Sequence, residues 1–179
     1  MVNSKPRHRL AIDELHSIST NEEEARCGHS PTEMPQPPRY ACGAGEGLAM
    51  TLTRFILAGQ LHGDGACYEA AYQAAERALD LPDAVELVAH VTCLVLAIRR
   101  ERNGVFHFLP PNCSRITRDE RDLLSALRSA IDDDHTALQG TLSLLARGQA
   151  GRCTGLALSR LAQALVHFGL ASEPRRSLQ

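Results

Sequence analysis

The feature that most constrains this chain is PDAVELVAHVTCLVLAIRRER, residues 82–102. Ala84, Leu87, Val88, Val91, Leu94, Val95 and Ile98 recur at helical spacing as one apolar stripe, and Val85, Ala89 and Leu96 add apolar surface on the other side. A helix that is hydrophobic nearly all round lacks a solvated face, so this one is expected at the centre of a helical assembly. Pro82 suits its first turn, and Asp83 and Glu86 suit the positive end of its dipole. Asn103-Gly104 ends it, and the β-branched and aromatic run VFHFL after that reads as a short extended segment doubling back.

The remaining segments supply partners for such a helix. Leu48, Leu52, Phe55 and Ile56 mark a helix from about residue 46 to 61, stopped at His62-Gly63-Asp64-Gly65. Tyr68, Ala71, Tyr72, Ala75 and Leu79 mark a second. Thr117 and Glu120 form a capping-box pattern ahead of Leu123, Leu124, Leu127 and Ile131. That stripe continues through His135, Leu138, Leu142 and Leu145, as one long helix or as two pieces broken around Asp132-Asp133-Asp134 or at Gly140. Leu158, Leu161, Leu165 and Phe168 define a last helix, with Thr154 as candidate N-cap and Gly169 as candidate stop.

With 179 residues, 44% of them hydrophobic, the chain has material for one core, and with 4% aromatics and no Trp that core must be built from Leu, Ala, Val and Ile. The expectation is an all-α fold: a compact bundle of about five helices with a short extended segment, spanning residues 44–171. The acidic, proline-rich stretch NEEEARCGHSPTEMPQPPRY makes residues 1–43 a disordered or extended arm, with a short helix near Leu10–Ile18 as an option, and residues 172–179 a frayed tail.

Several function classes lose support. Nineteen basic against 21 acidic side chains, net −2, argues against a dedicated nucleic-acid binder. Arg99, Arg100 and Arg102 read as cations at a helix C-terminus. The first residues carry no continuous apolar run of signal-peptide length, and no run reaches the roughly 18 to 20 apolar residues of a membrane span, so a cytoplasmic protein without a membrane segment is expected. CGAGEGLAM lacks the preceding strand and the Gly-Lys-Ser/Thr ending of a phosphate loop, so its glycines read as freedom to turn into the first helix. No G-x-S-x-G, H-E-x-x-H or repeated Glu-x-x-His pattern appears.

What chemistry there is lies in cysteine and histidine. The six cysteines are scattered without a C-x-x-C pair and are expected as reduced thiols. Glu86, His90 and Cys93 share one helix face, and the pattern His90-x2-Cys93-x13-His107-x5-Cys113 has the two-pair layout of tetrahedral zinc sites. Eleven residues of helix from Cys93 to Gly104 cover about 16 Å, and an extended return at ~3.3 Å per residue recovers that distance near Leu109. His107 then falls beside the level of Cys93, and Cys113 joins it if Pro110-Pro111-Asn112 bends the chain.

Three readings stand side by side. His90, Cys93, His107 and Cys113 hold a zinc or iron ion, with His135 as an optional further ligand; or they are packing and edge residues; or Cys113, near Arg115 and Arg118, is a reactive thiol. The corresponding functions are a cytoplasmic regulatory or sensor-type binding protein, a protein–protein interaction module without a ligand, and a small cysteine-dependent enzyme. Leu and Ala stripes on several helices also point to a protein partner or homo-oligomer, most simply a homodimer.

Overall fold

Each helix starts and stops for a local chemical reason. In a computed structural model that describes residues 43–148 and 151–171, α1 (Ala44–His62) ends at Gly63, whose φ of 65° is a left-handed conformation suited to glycine. Asp64 opens α2 (Gly65–Glu76) by accepting from the Ala66 N–H. Asp80 does the same for α3 (Leu81–Glu101) through the Asp83 N–H, with Pro82 in the first turn. α4 (Arg118–Ile131) carries the expected capping box between Thr117 and Glu120. Asp134 caps α5 (His135–Leu145), and α6 (Arg152–His167) completes the set.

The described residues therefore form six helices and no strand, where the sequence predicts about five helices and an extended segment. The sixth helix comes from the acidic run: Asp133 turns to a φ of 56° and Asp134 caps a new helix, so the leucine stripe is split into α4 and α5. The VFHFL segment stays irregular because it finds carboxylates instead of a neighbouring strand. The His107 N–H donates to Asp119 Oδ2 (2.8 Å) and the Leu109 N–H to Glu120 Oε1 (3.2 Å), which satisfies backbone donors without a ladder. The arm expected up to residue 43, its optional helix at 10–18 and the tail at 172–179 lie outside the described residues, Gly43 excepted.

All six helices feed one core. Met50, Leu52 and Ile56 of α1, Ala71 and Ala75 of α2, Leu87, Val91, Leu94 and Val95 of α3, Leu123 and Leu127 of α4, Leu142 and Leu145 of α5, and Leu158, Leu161 and Leu165 of α6 are buried together. α3 lies chiefly against α6, with α1 and α2 on its other contacts, while α4 packs on α5 and α6. One end of α6 is closed unexpectedly. Instead of Thr154, the Glu101 carboxylate at the end of α3 accepts from the Cys153 (2.7 Å) and Thr154 (2.8 Å) N–H groups. These bonds, against a burial that acts to raise it, hold the Glu101 carboxyl below its ordinary range.

Candidate functional site

The four candidate ligands are not gathered into one set. His90 is half-buried on α3, with Nε2 3.4 Å from Glu86 Oε1. Cys93 is exposed on the same helix. His107 sits in the connector with its ring Nδ1 3.1 Å from Asp119 Oδ2, and Cys113 is buried in the turn after Pro111, its N–H bonded to the Pro110 carbonyl. Among the described residues no three His, Cys, Asp or Glu side chains come together as a metal-holding group. His135 is 85% exposed, and its ring lies 3.6 Å from Asp133. Cys113 is 2% exposed, so the accessible surface thiol expected there is shut away from solvent.

What directs the connector is a pair of buried arginines. Arg54, in the middle of α1 and 0% exposed, binds Glu120 through two bonds, Nε to Oε1 at 2.7 Å and Nη2 to Oε2 at 3.0 Å. Its remaining donors reach the carbonyls of Pro110, Cys113 and Arg115, so one guanidinium holds three points of the connector from beneath. Glu120 also accepts from the Thr117 and Leu109 N–H groups, leaving each carboxylate oxygen with two donors. Arg102, at the end of α3, pairs with Asp119 (2.7 Å), donates to the Val105 and Leu145 carbonyls and lies over the Phe106 ring. Burial acts to raise the Asp119 carboxyl, but the His107 N–H and Arg102 override it and hold it low.

This network leaves little trace in the sequence beyond the capping box. Arg54 lies in the apolar run TLTRFILAG, and a charge inside a helix that is otherwise inward-facing is the one local sign of it. Chemically the network is a clamp. Its arginines and carboxylates are paired with one another and with the connector backbone, so it fixes the shape of residues 103–117.

Two surfaces remain. An open groove of about 670 Å³ lies between the end of α4, the start of α5 and the outer side of α6, with Ile131, Leu138, Ala162 and Val166 beside Gln163 and His167. The second surface is the outer face of α3. Leu81 is 61% exposed, Val85 45% and Leu96 39%, and Ala89 and Cys93 between them are exposed as well. At 100° per residue these five side chains fall within about one third of the helix circumference. The helix expected to be enclosed on all sides thus buries its inner face and presents a second apolar face that no described residue covers.

No protein-family model, no curated protein and no solved structure significantly matches this chain.

Proposed function

We propose that this chain is a helical interaction module whose working surface is the outer face of α3. The observation that carries the reading is the exposed stripe Leu81, Val85, Ala89, Cys93 and Leu96 on a helix whose other face is fully used in the core. A face needed only for solubility is polar on a helix of this kind, and a contiguous apolar one marks a docking surface. Contrary to the expectation from its interruption by Glu86 and His90, α3 is long and apolar enough by length and composition to cross a membrane, but it packs along its inner side against α1, α2 and α6, which favours a protein partner on the outer side. The buried clamp fits the same role, since a fixed connector and a rigid core keep the docking helix in one shape.

A photoreactive phenylalanine analogue placed at Val85 or Leu96 tests this in the producing cell. Crosslinked protein adducts are expected from both positions and none from the exposed control positions Gln73 and Arg121. Absence of adducts at positions 85 and 96, or equal yields at the controls, would sink the reading.

A further inference from the structure

We propose that the partner on the outer face of α3 is a second copy of this chain, docked with the two α3 helices antiparallel about a two-fold axis. This deepens the interaction-module reading and rests on it. The order of side chains along the face suits a helix crossing. Large residues stand toward the ends, Leu81 and Val85 on one side and Leu96 on the other, with the smaller Ala89, Thr92 and Cys93 between. Small residues at the middle of a crossing let two helix backbones approach, and larger ones outside them then interdigitate.

Charge selects the direction. Glu86 and Arg100 flank the stripe on the same edge, near opposite ends of the helix. Both are exposed; Glu86 lies 3.4 Å from the His90 ring, and Arg100 has no ion pair among the described residues. In an antiparallel two-fold pair each edge faces its own copy reversed, so Glu86 of each chain meets Arg100 of the other. With the crossing between Val91 and Thr92, a rise of ~1.5 Å per residue puts Glu86 and the opposite Arg100 about 4.5 Å apart along the axis, within reach of two long side chains. The same register sets Val85 against the opposite Leu96. A parallel two-fold pair would instead bring this edge against the other edge of the copy at the same level. Arg100 would then stand beside the opposite Arg99, which like charges oppose, and Glu86 would meet no cation. In the antiparallel pair the two Cys93 residues lie ~4.5 Å apart along the axis on the charged edge, within the span of a short bis-maleimide.

Sedimentation velocity over a concentration series of the full chain is the test. Wild type is expected to shift from one chain to two as concentration rises, and Leu96→Glu to stay a single chain with an unchanged helical spectrum. Glu86→Arg and Arg100→Glu are each expected to weaken the dimer about tenfold, and the double reversal Glu86→Arg with Arg100→Glu to restore it, because the pair is rebuilt with its signs exchanged. Mapping of the bis-maleimide product is expected to find Cys93 joined to Cys93. A wild type that is a single chain at every concentration overturns the proposal. If the photoreactive positions still capture another protein, the module reading survives without self-pairing; if they capture nothing, both fall. A dimer that Leu96→Glu breaks but the double reversal does not restore rejects the antiparallel geometry. Co-sedimentation of wild type, and not Leu96→Glu, with vesicles of phosphatidylcholine and phosphatidylglycerol would assign the face to a lipid surface and overturn it as well.

Discussion

Replacing Glu120 by Gln keeps the shape of the side chain and removes its charge, which isolates what the clamp contributes. Arg54 would stay 0% exposed with its charge uncompensated. The second effect is in the hydrogen bonds. Oε1 accepts from Arg54 Nε and the Leu109 N–H, and Oε2 from Arg54 Nη2 and the Thr117 N–H. Whichever way the Gln amide turns, its NH2 faces two donors and strands them. Removing one partner of a buried ion pair costs about 3 to 5 kcal/mol, and stranded buried donors account for much of that range. We expect a loss of about 4 kcal/mol, a large share of the ~5 to 15 kcal/mol available to a domain.

The assay is equilibrium unfolding in urea, with an unchanged m-value as the condition for reading the midpoint as stability. A companion variant, Arg54→Met with Glu120→Leu, removes both charges and should recover part of the loss. Recovery should be incomplete, because the carbonyls of Pro110, Cys113 and Arg115 lose the donors that hold the connector. A loss below about 1 kcal/mol for Glu120→Gln, the size seen for exposed pairs, would refute the claim that this pair works as a dry clamp.

The other contacts set further outcomes. Asp119 and Glu101 are held below their ordinary values of 3.8 and 4.5, so the folded state binds fewer protons than the unfolded chain. Their contribution is complete above those values and is lost as pH falls through the folded ones; acid titration of stability should show this, and Asp119→Asn should flatten that limb. Glu101→Ala removes the acceptor at the start of α6 and should cost about 1 kcal/mol, with faster hydrogen exchange at the Cys153 and Thr154 amides and nowhere in α1. In the single chain, at concentrations below pairing, Cys93 should react readily with a thiol reagent and Cys113 only on unfolding; equal protection of both under those conditions would contradict their placement. Gly45→Ala should destabilise, since a Cβ there meets the Leu170 carbonyl oxygen at 2.7 Å, whereas Gly140→Ala in α5 meets nothing within 4 Å and should stabilise by about 0.5 to 1 kcal/mol, both read as urea midpoints.

Helices were legible where a local rule sets them. Thr117 with Glu120, Pro82 in the first turn of α3 and Gly63 each act within one turn, so sequence spacing reports them directly, while the Asp80 cap of α3 is seen only in the structure. The glycines at the start of the chain's first helix read in the sequence as freedom to turn, whereas Gly45, inside the first turn of α1, makes room for the distant Leu170 backbone, whose carbonyl accepts its N–H at 3.1 Å. The clamp was not legible, because Arg54 and Glu120 are 66 positions apart and nothing in either stretch names the other. The His and Cys pattern went astray for a related reason. It assumes a connector free to return along α3, whereas Asp119 holds His107 at the start of α4 and Arg54 holds the carbonyl of the turned-in Cys113.

α3 shows the limit of periodicity in its sharpest form. Apolar residues on every side of a helix state that both faces avoid water, and they do not state what covers each face. The inner stripe from Ala84 to Ile98 is covered by this chain's own helices, as expected. The outer stripe from Leu81 to Leu96 obeys the same pattern with no cover among the described residues, so the physical demand that placed the helix at a centre is only half met by the fold. A pattern that asks for enclosure and receives it on one side is the same pattern that a homodimer interface, apolar like a divided core, leaves in a sequence. The charged residues at its margins, Glu86 near one end and Arg100 near the other, then carry information the apolar stripe cannot: they distinguish a partner that lies reversed on this helix from one that lies parallel to it.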